Sequence, residues 1–433
     1  MWPLSQKGRG GVMREALRSL GEAMLIRFVR LEGRKFLELK RGIERGFLSK
    51  GPLGKKVALY VHIPFCRQLC AYCSFNRYPL DEELAREYFK GLRKELDLYI
   101  DRGFSFRSVY LGGGTPTVMM DELSSFLEYL RLRQPIDEIS LETNPRDITP
   151  ENVRLLKDLG VRRLSMGVQS FDDRMLRAMG RFSHNGLEAI EKIKLAQGVF
   201  DTFNIDLLYN FPTQKPEDLK EDIRIVKELG VDQVTFYPLM PAPRKHKAIE
   251  RRFSKIDHGR ERVFYRMILD EMMQDGYVPS TVWCFSRGDH MIDEYIIEYP
   301  EYIAIGSGSV GLYGGVFYAN YFDLTNYLQR VNSGQFPIAM SKRLTRKELL
   351  HYHLLTQFFG MSLRREVHRE LFGRDPEEEL GIELLVLRLL GTIEATQGGF
   401  RVTRRGMYVV SGMMREFFTG LNRLREYCMS RRI

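Results

Sequence analysis

The 433-residue chain has no apolar run near the ~20 residues that a bilayer-spanning helix needs, although 44% of its residues are hydrophobic. With five cysteines, too few and too clustered for a disulfide framework, it reads as a protein of the reducing cytoplasm. No secretory h-region is present, and Glu15, Glu22 and Glu32 argue against a transit peptide, which is normally poor in acids. Met13 is a plausible start beside Met1, because residues 6–12 are Gly-rich and without pattern.

The length exceeds one ordinary core, so two or three domains are expected. Acidic residues are scarce in one place. Residues 1–56 hold 14 Lys/Arg against 5 Asp/Glu, so nearly all of the +10 net charge sits in that arm. Leu17, Leu20, Met24, Phe28 and Leu31 recur there at helical spacing with Arg14, Arg18, Arg27, Arg30 and Arg34 between them. This predicts a basic amphipathic helix within an arm of residues 1–52. It serves either as a cap packed on the open edge of the next domain or as a lure for an anionic partner.

Three cysteines fall within eight residues: Cys66, Cys70 and Cys73, spaced Cys-x3-Cys-x2-Cys after an apolar strand and Pro64. Such a loop can wrap three thiolates around a soft metal centre. Zinc sites usually show paired Cys-x2-Cys elements or a Cys/His set, and here no second pair completes four ligands. His62 could supply a fourth, but its place on the strand suits a packed or orienting imidazole. Three ligands on a four-iron cluster leave one iron open to an amine and a carboxylate, the groups that S-adenosylmethionine (SAM) offers. A cluster with an open iron also implies an anaerobic or oxygen-guarded setting.

From residue 57 to about 239 short apolar strands alternate with helical patterns at the spacing of βα units. Strands are predicted at 57–61, 108–111, 139–142, 163–168, 203–208 and 233–237, with helices near 81–101, 119–132, 150–159, 172–180, 185–197 and 215–229. The fold class is α/β, a partial (β/α)6 barrel over residues 53–240. Ligands of such folds sit at the C-terminal ends of the strands. The unusual stretches fall there: Gly112-Gly113-Gly114-Thr115 after strand two, Glu142-Thr143-Asn144-Pro145 after strand three, Gly167-Val168-Gln169-Ser170 after strand four, Arg181 one helix later, and Asp206-Leu207-Leu208-Tyr209 in strand five. Glycines allow close approach to a ligand. Glu142 and Asp206 can accept hydrogen bonds, Gln169 can donate and accept, and Arg181 can fork onto a carboxylate.

The cysteine spacing followed by Tyr72 resembles the radical SAM signature. The ordered set of motifs, led by Tyr-x-His-Ile-Pro-Phe-Cys, is similar to the oxygen-independent coproporphyrinogen III oxidase family and its heme-chaperone and heme-ring-opening relatives, over residues 55–425. The resemblance implies a [4Fe-4S] cluster on Cys66, Cys70 and Cys73, and SAM lined by Tyr60, Tyr72, Gly113, Gly114, Thr115, Glu142, Gln169, Arg181 and Asp206. It further implies an oxidoreductase that cleaves SAM to a 5′-deoxyadenosyl radical, an electron donor such as flavodoxin or ferredoxin, a monomer, and an anionic tetrapyrrole as substrate. In the oxidase the radical takes hydrogen from a propionate, which then loses carbon dioxide to become a vinyl group. A methyltransferase or heme-ring-opening reaction and a heme-binding chaperone stay open on the same scaffold. Two departures from the oxidase bear on that choice. Phe75 stands where the oxidase has a further cysteine, and the arm lacks the oxidase's tyrosine-rich lead-in.

Beyond residue 240 the βα rhythm breaks. Residues 241–340 are expected to form a barrel extension with a loop over the mouth, a helix at 259–275, an extended segment at 278–285 and a second glycine-rich turn at 303–311, which in the family approaches the active site. Trp283 and Cys284 read as core. Residues 341–433 carry helices at 345–359, 364–371 and 378–390, a hairpin around residues 396–399 and a closing helix from Gly406. The arrangement resembles a winged-helix module, read as a lid over the barrel and not as a nucleic-acid reader.

Overall fold

A computed structural model describes residues 9–48, 57–288, 291 and 294–433. The arm boundary placed at residue 52 lies outside them. Six parallel strands form the centre: β1 (Val57–Ile63), β2 (Phe106–Gly113), β3 (Glu138–Thr143), β4 (Arg163–Gln169), β5 (Thr202–Tyr209) and β6 (Gln233–Pro238), each pairing with the next in chain order. Every predicted strand is present and most run one to three residues longer. β1 is buried along almost its whole length and reads Val-Ala-Leu-Tyr-Val-His-Ile, as suits a parallel strand covered on both faces. The intervening helices begin at caps that the sequence supplies, among them Asp81, Thr149, Asp172 and the Asn185/Glu188 capping box.

The sheet is wider than expected. Tyr302–Ile305 pairs in parallel with the other side of β1, and Val310–Tyr313, Val316–Asn320 and Ile338–Arg343 continue it antiparallel. Among the described residues thirteen strands join in one sheet, bounded by Lys40–Arg41 at one edge and Val278–Pro279 at the other. The segment expected to be extended at 278–285 is two short antiparallel strands, Val278–Pro279 and Cys284–Ser286. Trp283 is core, its Nε1 donating to Ser411 Oγ at 2.8 Å.

The arm helix, Arg9–Phe36, packs along the closing helix, Gly406–Ser430, while its C-terminal end meets the sheet edge, with the Phe36 ring 4.9 Å from that of Phe317 and Lys40–Arg41 pairing with the strand Ile338–Arg343. Its packing face also differs from the one the apolar spacing suggested. Leu17, Leu20, Met24, Phe28 and Leu31 are exposed, whereas Glu22 is buried and accepts from Arg262 at 2.5 Å and Arg405 at 3.3 Å. Arg30 reaches Glu416 of the closing helix at 2.6 Å. Charge pairing orients this helix, and removing an enclosed carboxylate such as Glu22 costs about 1–3 kcal/mol. Met24 and Phe28 border an apolar cavity of about 510 Å³ between the arm helix and helices Arg346–Phe359 and Gly381–Leu389.

The C-terminal module has the expected helix Arg346–Phe359 behind its Thr345/Glu348 capping box, and a hairpin of Ile393–Thr396 with Gly399–Val402 joined by Ser362–Arg364. The helix expected over 378–390 is divided: Pro376–Glu379 and Gly381–Leu389 meet at Leu380, whose backbone leaves the helical region.

Candidate functional site

β1 delivers the chain into the cysteine loop, and two side chains on it fix the delivery. The Tyr60 hydroxyl donates to His62 Nδ1 at 2.9 Å, and His62 Nε2 donates to the Asn76 carbonyl at 2.8 Å. Burial pulls the imidazole down to about 4, so it is neutral with both nitrogens engaged. These two contacts hold His62 in the place of an orienting imidazole. Asn76 in turn donates to Ser307 and Phe322 carbonyls, and Tyr88 bridges the His62 carbonyl and the Ser307 amide. The second glycine-rich turn thus abuts the cysteine loop.

The glycine turn after β2 holds the other side of that loop. Gly114 N donates to the Ile63 carbonyl at 2.7 Å and Thr115 N to the Phe65 carbonyl at 2.8 Å. Gly113 has φ +118°, a conformation that side chains rarely adopt, and its amide donates to Glu142 Oε2 at 3.1 Å. Glu142 also accepts from the Tyr110 hydroxyl at 3.0 Å.

From Thr115 a circuit of contacts crosses three strand tips. Thr115 Oγ1 lies 3.6 Å from Cys66 Sγ and accepts from Asn144 Nδ2 at 2.6 Å; Asn144 Oδ1 accepts from Arg181 Nη2 at 2.5 Å; Arg181 Nη1 lies 3.6 Å from Cys70 Sγ. Arg181 also donates to the Gly167 carbonyl at the end of β4, and its buried Nε has no partner. Cys66, Cys70, Thr115, Asn144 and Arg181 line one cavity, with Arg67 and Phe182 at its rim. Cys73 does not line it. That residue is joined through its backbone: Arg77 donates to the carbonyls of Cys70 and Cys73, and Lys245 to that of Cys73.

The remaining expected residues stand on neighbouring tips. Asp206 on β5 accepts from Ser165 at 3.0 Å and Asn204 at 2.8 Å. Gln169 ends β4 at φ +75°, in the left-handed region. Behind it Asp222 accepts from Ser170 and from Phe171 N, and burial raises that carboxyl to about 7. Tyr72 is partly buried against a small apolar cluster that includes Met175, Met179 and Leu208, and that burial pushes its phenol up. Tyr60 stacks with Tyr110 and Tyr295 at ring separations of 6.1 and 5.6 Å.

Among the described residues no three Cys, His, Asp or Glu side chains converge on a point where one metal ion could sit. A cubane cluster asks for something else, since each thiolate binds a different iron and the three stand apart around a body. The donor set fits such a group. Three thiols with no other thiol near them lie on one loop, and Arg77, Arg181 and Lys245 gather positive charge around it, as an anionic cluster requires. Burial pushes the Cys66 thiol up to about 11.

Asn144, Arg77, Lys245 and Tyr295 were not among the residues singled out from sequence. Asn144 had a signal, its place two residues after Glu142 at a proline-stopped strand tip. Lys245 lay in the basic stretch expected as a loop over the mouth, which is instead a helix, Pro243–Arg252, opened by its proline; Arg77 had no signal.

The profile of the radical SAM superfamily matches residues 60–226. The heme chaperone HemW of Lactococcus lactis is 30% identical over 294 residues, 64% of this chain and 75% of that protein. The oxygen-independent coproporphyrinogen III oxidase of Helicobacter pylori is 25% identical over 407 residues, 83% of this chain and 85% of the other. In three dimensions the coproporphyrinogen III oxidase HemN of Escherichia coli superposes with a TM-score of 0.72 over 88% of this chain and 95% of its own, at 23% identity.

Proposed function

The chain belongs to the radical SAM superfamily, in the group that holds the HemW heme chaperones and the oxygen-independent coproporphyrinogen III oxidases, and on that premise we propose that it binds a tetrapyrrole above a cluster on Cys66, Cys70 and Cys73. The family's cofactors are a [4Fe-4S] cluster and SAM, which together supply a 5′-deoxyadenosyl radical able to remove a hydrogen atom. The observation that carries the reading is the circuit from Cys66 through Thr115, Asn144 and Arg181 to Cys70, which ties two ligands to the tips of β2, β3 and β4.

In this reading Gly113, Gly114 and Thr115 receive the SAM amino group, beside the Glu142 carboxylate. Asp206 and Gln169 face the rest of SAM from β5 and β4. Arg181 forks onto a carboxylate only by releasing Asn144 or Gly167, since of its nitrogens only Nε lacks a partner. Tyr72 closes the loop against apolar side chains and keeps water from the cluster's flank. Glu142→Ala and Asp206→Ala should therefore keep iron yet weaken SAM binding by roughly 1–3 kcal/mol each, measured by equilibrium dialysis. Unchanged affinity in both would remove the pocket from these strand tips.

Between the two activities named for the relatives, heme handling is favoured by Phe75 where the oxidase carries a cysteine and by the identity to the L. lactis chaperone. Oxidation of a propionate is the second reading, favoured by the H. pylori oxidase's match over 83% of the chain. The deciding experiment is anaerobic: reduced, reconstituted protein with SAM is given coproporphyrinogen III, and separately heme. We expect stoichiometric heme binding and no vinyl product by mass spectrometry. Vinyl formation with carbon dioxide release would overturn the chaperone reading in favour of the oxidase.

A further inference from the structure

The closing helix Gly406–Ser430 brings an arginine to the mouth that none of the roles above uses. The Arg425 guanidinium lies 4.5 Å from the centroid of the Phe75 ring, two residues past Cys73. Asn422, one turn earlier, accepts from Arg425 Nη1 at 2.9 Å and donates to the Met240 carbonyl at 2.6 Å, just beyond β6. That double contact pins both the helix and the guanidinium to the rim of the barrel.

The guanidinium is partly buried, its Nε is enclosed without a hydrogen-bond partner, and Glu142 is the carboxylate whose charge it feels. Arg415, ten residues earlier on the same helix, is paired with both Glu261 and Glu416. The groups that act on Arg425 electrically are Tyr60, Cys73, Tyr295 and Glu142, and its own charge is felt at His62 and Tyr302, residues of the cysteine loop, β1, β3 and the strand beside β1. Burial draws it below the ordinary arginine value. A partly buried guanidinium whose Nε lacks a partner can meet an entering carboxylate with two parallel hydrogen bonds in its plane. The surroundings suit a flat apolar body: Phe75 lies beneath the cation, and Tyr60, Tyr110 and Tyr295 stack nearby with centroids 5.4–6.1 Å apart.

We propose that Arg425 is the specificity-determining anchor for a carboxylate of the substrate, holding an acidic, flat-faced molecule over Phe75 at the mouth. This rests on the reading of the strand tips as the reaction site, and it assigns to the C-terminal module a direct part in recognition. Phe75 then has a role of its own, as the surface on which the guanidinium is held flat, where a cysteine could not hold it.

The test uses the full-length, reconstituted protein, with coproporphyrin III and its tetramethyl ester as probes of equal shape and different charge, followed by porphyrin fluorescence. Arg425→Met keeps the stem and removes the cation; Arg425→Lys keeps the charge and removes the fork. We expect at least a tenfold weaker Kd for the tetra-acid in Arg425→Met, an intermediate value in Arg425→Lys, a flatter salt dependence in Arg425→Met, and unchanged Kd for the ester. Iron content and SAM binding should match the wild type in both variants. Equal losses for acid and ester would make Arg425 a packing residue, and an unchanged acid Kd, or a loss confined to SAM, would overturn the assignment outright. If acid binding depends on Arg425 but SAM is never cleaved, the radical reading fails and the anchor stands. If SAM is cleaved and acid binding ignores Arg425, the reverse holds.

Discussion

Replacing any one of Cys66, Cys70 or Cys73 by alanine should take the anaerobically reconstituted protein from about four irons per chain to essentially none, with loss of its broad visible absorption. The expectation is all-or-none because two remaining thiolates cannot hold a cubane whose other corner faces a ligand pocket. Among the described residues no nearby His or Cys side chain can stand in. His62 has both nitrogens committed to Tyr60 and Asn76, and the remaining cysteines are held elsewhere. Cys284 lies in the sheet opposite Thr235 of β6, and Cys428 is buried 3.6 Å from Met340 Sδ, where burial pushes its thiol up to about 12. Cys284→Ser and Cys428→Ser should thus retain full iron, read by colorimetric iron assay and absorption. Loss of iron in either of these two, or retention in any of the first three, would refute the ligand set. Circular dichroism separates a lost cluster from a lost fold.

Much of this site is legible in the chain because it is local. The cysteine spacing, the glycine turn and the strand tips each lie within a few residues, and short apolar runs alternating with helical patterns locate all six central strands. What could not be read depends on contacts distant in sequence. Tyr302–Ile305 is four residues long and becomes a strand only because β1, some 240 residues earlier, offers it an edge. The arm helix shows the opposite failure. Its apolar stripe at Leu17–Leu31 suggested the buried face, yet the face that packs carries Leu25, Ile26 and Val29 together with Glu22 and Arg30, whose partners Arg262, Arg405 and Glu416 no local pattern links to the arm. Lys245, which follows β6, reaches the Cys73 carbonyl 172 residues earlier, and only the fold brings it beside the local donor Arg77. The split at Leu380 was equally hidden, because Glu378 to Leu390 is apolar at helical spacing throughout.

Gly114→Ala should cost the site nearly as much as losing a cysteine, although it removes no ligand. A Cβ at Gly114 would lie 2.6 Å from the Phe65 carbonyl oxygen, 2.8 Å from the Pro64 carbonyl carbon and 2.9 Å from Phe65 N. All three are backbone atoms of the segment that presents Cys66, so no side chain can swing aside. Nor can the two strands separate freely, since the Gly114 and Thr115 amides donate to the Ile63 and Phe65 carbonyls across this gap and Phe65 is fully buried. Overpacking of this kind costs about 1–3 kcal/mol, roughly tenfold to a hundredfold in an equilibrium. Here the strain is relieved most easily by shifting the cysteine loop away from Thr115 and Asn144. Iron content should therefore fall below about a tenth of the wild type, and SAM binding with it, while far-UV circular dichroism stays native because the six strands are untouched. Gly33→Ala supplies the control: it lies on the arm helix with nothing within 4 Å of the added carbon, so it should keep both iron and SAM. Wild-type iron and SAM affinity in Gly114→Ala would mean that the glycine turn is a tight connection only, and that the loop carrying Cys66 finds its place without it.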